Sequence, residues 1–234
     1  MSRKAHIVLI ADQVDSRRSP DAVPRALELL NEIDVVLPFE RTAGDELQGL
    51  VADGATAIGA VMRLWSLGSW SIGLGVGDVE SPLPQSTREA RGSAYVAARR
   101  AIEEASETEA RLRVVCAGDP DGYALTSGAD DDPQEADVNQ RARRESDDPG
   151  YQAETVLHLM EPIVRGRTSA VWEALELADA GLSQSEIGVE LGISQSAVSR
   201  RLARALATEV GRGSDLAARL LEIARCSWRE RGGA

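Results

Sequence analysis

GLSQSEIGVELGISQSAVSRRL, residues 181–202, is the stretch that decides the fold of the C-terminal part of the chain. Ser183 and Glu186 have the spacing of a capping box, which predicts that a first helix begins here. Gly192 follows as the turn residue, because glycine adopts a positive φ at little cost, and Ser194 can cap a second helix. The stretch therefore predicts two short helices joined by a tight turn. The first helix is expected to take its apolar surface from Ile187, Val189 and Leu191.

The second predicted helix has two different faces. Ala197, Val198 and Leu202 recur at three- and four-residue spacing, which places them on one apolar face. The opposite face is polar and basic, and these caps, turn and faces together are typical of a helix-turn-helix. The pattern resembles the DNA-binding helix-turn-helix of many bacterial regulators, in which the second helix enters the major groove of double-stranded DNA. The predicted DNA-binding residues are Ser194, Gln195, Ser196, Ser199, Arg200, Arg201 and Arg204.

The net charge of the chain at first argues against a nucleic-acid partner. The 234 residues carry a net charge of -12, whereas phosphate contacts need clustered lysine and arginine. The distribution of charge changes this conclusion, because residues 194–207 contain three arginines and no acid. The second helix is therefore expected to be locally basic.

Residues 119–148 hold ten acids and almost no large apolar side chains. Such a composition predicts a solvated loop or linker, since it offers little apolar surface to bury. A second interpretation is a regulatory acidic segment that competes with DNA for the basic helix. The composition is compatible with both.

Strand and helix patterns alternate through the first half of the chain. The run AHIVLIA at residues 5–11 is continuous, apolar and rich in β-branched residues, which predicts a buried strand. Further strands are predicted at 35–42, 47–52, 70–77 and 112–117, and helices at 19–31, 55–67 and 89–105. The order β-α-β-β-α-β-α-β predicts an α+β domain with its helices on one face of a sheet. Three more helices are predicted at 151–164, 168–180 and 214–228.

Four patches of the first half carry a family resemblance: IADQVDS at 10–16, RTAGDELQ at 41–48, SIGLGVGD at 71–78 and GSAYVAARR at 92–100. Together, and in this order, they resemble the nucleotidyl-cyclase homology fold of the class III cyclases and their GGDEF relatives. With a helix-turn-helix attached, the whole chain resembles the SatD-like regulators. The resemblance implies a ferredoxin-like, nucleotidyl-cyclase-like sheet followed by an all-α helix-turn-helix domain. The expected division is a sensor domain at 1–127, an acidic linker or loop at 128–150, and a helix-turn-helix domain with a C-terminal helix at 151–234.

Two acidic residues of the first half are candidate metal ligands. Asp12 follows a predicted strand and Asp45 lies in a predicted hairpin turn, so both can converge on one edge of the sheet. Two carboxylates there could hold Mg²⁺, which prefers hard oxygen ligands and keeps water or phosphate oxygens in its other positions. The alternative is a pair of ordinary turn acids, because Asp is common at strand ends and in hairpins. The resemblance favours the metal site, since the cyclase strand that matches residues 10–16 ends in a metal-binding Asp.

The same resemblance implies a nucleotide site without catalysis. Arg99 matches the arginine that stabilises the phosphates, while Arg41 and Glu89 fall on the two base-reading positions. Tyr95 falls where the cyclases have the asparagine that orients the nucleotide. Without such positioning, binding of the nucleotide does not accelerate the chemical step. We therefore expect no catalytic residue and no enzyme activity. Arg41 and Arg91 also have a simpler interpretation as exposed surface residues. The predicted nucleotide-binding residues are Arg41, Gly44, Asp45, Glu46, Glu89, Arg91, Tyr95 and Arg99.

Three functions remain compatible with these patterns. The first is a homodimeric, DNA-binding transcriptional regulator whose first domain binds a purine triphosphate or a cyclic dinucleotide without turnover. The second is an active nucleotidyl cyclase with a DNA-binding domain, and the third is a protein–protein interaction module. No run reaches the roughly 20 apolar residues of a membrane helix, and neither cysteine suggests a disulfide framework. A cytoplasmic location without a membrane partner is therefore expected.

Overall fold

The computed structural model describes residues 5–118 and 147–231 of the chain. The acidic segment predicted at 119–148 lies outside the described residues except for its last two, so the structure tests neither interpretation of it. No helix within 5–118 or 147–231 is both long enough and apolar enough to cross a membrane.

A five-stranded sheet forms the first half of the molecule. Its strands are β1 Ala5–Gln13, β2 Leu37–Arg41, β3 Glu46–Val51, β4 Trp70–Asp78 and β5 Leu112–Cys116. They are ordered β2-β3-β1-β4-β5, and neighbours are antiparallel except for the parallel pair β4–β5. With α1 Val23–Leu30 and α2 Gly54–Leu67, the first four strands have the β-α-β-β-α-β order of a ferredoxin-like unit. The predicted α+β class is confirmed.

The strand β1 lies in the middle of the sheet and is buried on both faces. Ile7, Leu9 and Ala11 belong to the hydrophobic core on one face. Val8 and Ile10 belong to the core on the other face. This position explains why the run at residues 5–11 is apolar throughout instead of alternating.

The helices cover both faces of the sheet, which corrects the prediction that they share one face. On one face, α1 and α2 pack in the main core. On the other, α3 Ser93–Ala105 contributes Ala94, Ala98 and Ile102 to a second core. The reason is steric, because β4 carries glycines on that face: a Cβ atom on Gly75 would collide with the backbone of Ala94 and Ala98. Small residues on both elements let α3 lie directly on the strand.

The second half of the chain is helical. Its helices are α4 Pro149–Arg165, α5 Ser169–Asp179, α6 Gln184–Glu190, α7 Gln195–Arg204 and α8 Ala207–Arg231. The predicted last helix began at residue 214, whereas α8 begins seven residues earlier, since Val210 packs in the core of the sheet and this contact outweighs the glycines at 211 and 213.

The helices α4 and α8 pack on the sheet, not with the helix-turn-helix. The main core of the sheet includes Leu157 and Val164 of α4 together with Val210, Ala217 and Leu221 of α8. The predicted domain boundary at 128–150 therefore assigns α4 and α8 to a different domain from the strands with which they share a core. The helices between α4 and α8 form hydrophobic clusters of their own.

A buried ion pair fixes α4 against the edge strand β5. Glu154 accepts a hydrogen bond from the backbone N–H of Val114 at 2.7 Å and pairs with Arg113 at 2.7 Å. One turn later, His158 contacts the backbone carbonyl of Leu112 at 2.8 Å. These contacts satisfy backbone groups of a strand that would otherwise present an open edge.

Candidate functional site

The helices α5, α6 and α7 form a compact unit around Ala174, Ile187 and Val198, which are all buried. The predicted caps are confirmed. Ser183 Oγ accepts a hydrogen bond from the backbone N–H of Glu186, and the Glu186 carboxylate accepts one from the N–H of Ser183 at 2.8 Å. Ser194 caps α7 by accepting from the N–H of Ala197 at 3.2 Å.

The turn between α6 and α7 depends on two glycines. Gly192 has a φ of +63°, as predicted from its place in the sequence. Gly188 was missed: an added Cβ atom would lie 2.8 Å from the carbonyl oxygen of Ile193, so α6 and the turn touch at backbone level. The signal was a glycine inside a predicted helix. Val189 was expected on the apolar surface, but its side chain is 84% exposed because it points away from the core of the unit.

The predicted DNA-binding residues of α7 fall into two groups. Arg201 is half-buried and donates a hydrogen bond to the backbone carbonyl of Ala170 at 3.3 Å, which ties α7 to α5. Ser194 and Ser196 exchange a hydrogen bond of 3.0 Å at the N-terminus of the helix. All the predicted residues other than Arg201 are exposed, namely Ser194, Gln195, Ser196, Ser199, Arg200 and Arg204.

Residues 169–208 match the family model of sigma-70 region 4. The unit formed by α5, α6 and α7 is similar to region 4. The match starts with α5 and ends at the beginning of α8, so it covers all three helices of this region 4-like unit and none of the sheet. Neither the curated proteins nor the solved structures contain a significant match to the chain. The C-terminal unit is thus a helix-turn-helix of the DNA-binding type, which supports DNA as a partner and a regulator as the class of protein.

The structure brings the two candidate metal ligands together at one edge of the sheet. Asp12 pairs with Glu46 in the register of β1 and β3, and the backbone N–H of Gln13 donates to the carbonyl of Asp45 at 3.4 Å. The carboxyls of Asp12 and Asp45 are close enough to influence each other's pKa. Burial, together with the nearby Asp45 carboxyl, raises the pKa of Asp12 to about 6. The hydroxyl of Ser16 lowers the pKa of Asp45.

Glu46 and Arg99 form an ion pair beside these carboxyls. The Arg99 guanidinium donates from Nη1 and Nη2 to the two carboxylate oxygens at 2.5 and 2.8 Å, and Thr42 donates to the same carboxylate at 2.5 Å. Although burial raises the pKa of Glu46, the hydrogen bonds from Arg99 and Thr42 bring it below its usual value. The cation that the sequence assigned to phosphate binding is therefore held by a neighbouring acid.

Arg41 lies apart from this cluster. It pairs with Asp21 at 2.5 Å, beside the N-terminus of α1. The helix α1 covers the face of the sheet opposite to α3, which carries Arg99. The predicted base-reading arginine and the predicted phosphate-binding arginine are thus on different faces. Arg41 lies opposite Leu47 in the register of β2 and β3, whereas Arg99 pairs with Glu46, the preceding residue of β3, whose side chain points to the other face.

Tyr95 is fixed by a loop that the sequence analysis did not single out. Its hydroxyl lies 3.2 Å from Thr87 Oγ1, and Gln48 of β3 donates to the carbonyl of Thr87 at 2.9 Å. Burial raises the pKa of Tyr95. Thr87 belongs to the connection between β4 and α3, on which the predicted ligand residues Glu89 and Arg91 are exposed. Gly44 is exposed as well, with a φ of +57° in the hairpin turn.

The carboxylate pair fits a magnesium ion that is completed from outside the protein. Asp12 and Asp45 offer oxygen ligands, whereas Glu46 is engaged by Arg99. No group of three or more metal-binding side chains of the His, Cys, Asp or Glu type is found in the described parts of the chain. The protein would therefore supply two ligands, and water or phosphate oxygens would supply the others.

A short series of hydrogen bonds connects this edge of the sheet with the region 4-like unit. The backbone N–H of Val14, two residues after Asp12, donates to the carbonyl of Ser69 at 3.1 Å. The hydroxyl of Ser69 accepts a hydrogen bond from Arg165 at 2.7 Å. Arg165 is the last residue of α4, three residues before the N-cap of α5, Thr168.

Proposed function

We propose that the chain is a transcriptional regulator in which the sheet binds a nucleotide with Mg²⁺ and thereby controls DNA binding by α7. The observation that carries this proposal is the position of the Asp12–Asp45 pair. The pair lies next to Arg99, whose guanidinium can exchange its contact with Glu46 for one with a phosphate. Two hydrogen bonds, through Val14 and Ser69, connect the segment after Asp12 with the helix that leads to the region 4-like unit. The ligand class we infer is a purine triphosphate or a cyclic dinucleotide.

On the DNA side, the exposed surface of α7 has the composition that a recognition helix needs. Gln195 and Ser196, at the N-terminal end of the helix, would reach base edges in the major groove. Ser199 and Arg200 would contact bases or phosphates, and Arg204 would contact phosphate. Arg201 contributes less to phosphate contacts than its neighbours, since its guanidinium is engaged with Ala170.

On the ligand side, Asp12 and Asp45 would hold Mg²⁺ and the ion would bridge to the phosphates. Arg99 would exchange its contact with Glu46 for a phosphate oxygen, because guanidinium forms strong charge-assisted bonds with either anion. The exposed turn at Gly44 offers backbone N–H groups to the same phosphates. The resemblance of four sequence patches to the cyclase homology fold, and of the whole to SatD-like regulators, agrees with this assignment.

The position of Tyr95 supports binding without turnover. Tyr95 replaces the asparagine that orients the nucleotide in the cyclases, and its hydroxyl is engaged with Thr87. Rate acceleration by groups that only bind a substrate is small unless other groups also position it. We therefore infer a sensor and not an enzyme.

A homodimer would allow ligand binding by the sheet to change DNA binding. Two recognition helices must lie about 34 Å apart to read successive major grooves. A ligand that binds the two arrangements of the protomers with different affinity shifts the equilibrium between them. Sedimentation of the full chain with and without nucleotide tests this part of the proposal.

The experiment that tests the ligand is thermal unfolding of the full chain with a panel of purine nucleotides, with and without Mg²⁺. A ligand that binds only the folded chain raises the melting temperature, and the rise grows with the ratio of its free concentration to its Kd. We expect stabilisation by at least one nucleotide that requires Mg²⁺ and is lost in Asp12→Asn. Asp34→Asn, which changes an exposed acid of the same domain, is the control. No stabilisation by any nucleotide contradicts the proposal.

An active cyclase is the second candidate, and the proximity of Asp12 to both Asp45 and Arg99 favours it. Incubation with ATP or GTP and Mg²⁺ or Mn²⁺ distinguishes the two functions. We expect no cyclic product. A cyclic product that is formed by the unaltered chain and not by Asp45→Asn would show that the protein is an enzyme and not only a sensor.

A further inference from the structure

The junction between α7 and α8 contains a residue in an unfavourable backbone conformation. Leu206 has a φ of +46°, which an L-residue with a Cβ atom adopts only at a cost of about 1 kcal/mol or more. Its side chain is 40% exposed. Its backbone N–H donates to the carbonyl of Ala203 at 3.2 Å, as in the left-handed cap that ends many helices. The chain therefore changes direction between α7 and α8 at Leu206.

Arg167 contacts the junction from the segment before α5. Its Nη2 donates a hydrogen bond of 2.7 Å to the carbonyl of Ala205, the C-cap residue of α7. Its guanidinium also lies 5.0 Å from the ring centroid of Trp172 on α5. A cation at this end of a helix interacts favourably with the unpaired carbonyls and with the helix dipole. Arg167 thus reinforces an apolar contact between these elements, in which Val171 and Leu175 of α5 pack against Ala205.

These contacts come with an electrostatic cost. Burial lowers the pKa of Arg167, which means that the surroundings disfavour the charged form. Within the described residues, its Nε is buried without a hydrogen-bond partner. A buried polar group that lacks a partner destabilises the fold. The contacts with Ala205 and Trp172 hold Arg167 at the junction in spite of this cost.

The helix α8, which follows the junction, is firmly attached to the sheet. Its residues Val210, Ala217 and Leu221 lie in the main core, against which Trp172 of α5 also packs. The helix α8 approaches α2 closely as well, because a Cβ atom on Gly54 would collide with the carbonyl of Ala218. The orientation of α7 relative to the sheet therefore depends on its junction with α8 and on its packing against α5, and Arg167 contacts both elements.

We propose that Arg167 is a positioning residue that sets the orientation in which the recognition helix meets DNA. It lies outside the matched residues 169–208 and acts through Ala205 and Trp172, not through a contact of its own with DNA. The inference rests on the DNA-binding part of the proposed function and is independent of any nucleotide. Base contacts require several side chains of α7 in register at once, whereas phosphate contacts tolerate a change of tilt.

The test compares specific with non-specific DNA binding. An operator is first selected from a random duplex pool with the unaltered chain. The affinity for this operator and for an unrelated duplex is then measured at several salt concentrations for Arg167→Met and Arg167→Lys. Arg219→Met, which removes an arginine from the exposed surface of α8, is the control.

We expect Arg167→Met to lower operator affinity about 10- to 100-fold, the size of one or two lost base contacts. Non-specific affinity and the salt slope should stay as in the control, because a lost phosphate contact would reduce the slope by about one. Arg167→Lys should show a smaller loss of the same kind, since lysine keeps the charge but not the planar fork.

The comparison is made at a temperature at which circular dichroism shows each variant to be folded, and Arg167→Lys serves alone if the methionine variant does not fold. An unchanged ratio of specific to non-specific affinity overturns the inference. So does an equal loss on both duplexes. If the unaltered chain binds no duplex, the DNA-binding part of the proposed function fails and the inference fails with it.

Discussion

Arg165 donates a hydrogen bond of 2.7 Å to the hydroxyl of Ser69. Arg165 ends the helix that leads to the region 4-like unit, and Ser69 lies immediately before β4. The carbonyl of Ser69 accepts from the N–H of Val14, so the same residue also contacts the segment that follows Asp12. A ligand that moves this segment would act directly on the end of α4. We propose this contact as the physical route from the sheet to the DNA-binding unit.

Removing the hydroxyl in Ser69→Ala should separate ligand binding from its effect on DNA. We expect nucleotide-dependent thermal stabilisation to persist, because the Asp12–Asp45 pair is unchanged. The change in operator affinity on adding nucleotide should fall towards zero. Ser66→Ala is the matched control, since that hydroxyl donates only to the carbonyl of Arg63 in its own helix. An undiminished DNA response in Ser69→Ala would rule out this route.

Substitutions on α7 should divide into electrostatic and base-reading effects. Arg200→Ala and Arg204→Ala should each reduce the slope of log affinity against log salt by about one. Arg201→Ala should change it less, because this guanidinium donates to Ala170. Gln195→Ala should relax sequence preference without changing non-specific affinity. Salt slopes from fluorescence anisotropy measure all four, and equal slopes throughout would contradict the proposed docking.

Two glycines of the first domain should respond oppositely to alanine. Gly75→Ala should lower the free energy of unfolding by about 2 kcal/mol or more, since the new methyl group meets the backbone of α3. Gly59→Ala should raise it by up to about 1 kcal/mol, because the site is helical and its nearest contact is the flexible Arg63 side chain at 3.5 Å. Urea unfolding measures both. A stable Gly75→Ala would mean that α3 does not lie on β4 as described.

The N-cap of α2 predicts a pH dependence of stability. Asp53 accepts from the N–H of Thr56 at 2.8 Å, and this bond lowers its pKa from the usual 3.8. Asp53→Ala should lower the free energy of unfolding by about 1 kcal/mol at neutral pH.

A carboxyl whose pKa is lower in the folded chain stabilises it above the unfolded pKa and loses this effect as the pH falls through the folded value. The difference between the original chain and Asp53→Ala should therefore shrink below about pH 4. Asp53→Asn can form the same cap without titrating and is the control. A difference that stays constant down to pH 3 would exclude the charged cap.

Local patterns in the sequence were sufficient for the helix-turn-helix and for the central strand. A capping box, a turn glycine and a continuous apolar run each have a short-range physical cause, and the structure contains all three. The meeting of Asp12 and Asp45 was also predictable, because a strand end and a hairpin turn were already expected at one edge.

Long-range packing could not be predicted in the same way. An amphipathic helix shows that one face is buried but not what covers it, so α4 and α8 were assigned to the DNA-binding domain although they pack on the sheet. The Glu46–Arg99 pair joins residues distant in sequence and has no local pattern. The side of the sheet taken by α3 was indicated only by glycines alternating along β4, a signal that the prediction did not use.

The central claim is that a ligand at the Asp12–Asp45 edge controls DNA binding by α7. Its most direct test is the affinity of the full chain for its selected operator, titrated with each purine nucleotide in the presence of Mg²⁺. We predict that one nucleotide changes this affinity about 5- to 150-fold, the usual range of coupling between two sites, and that Asp12→Asn abolishes the change. An operator affinity that no nucleotide alters would contradict the claim.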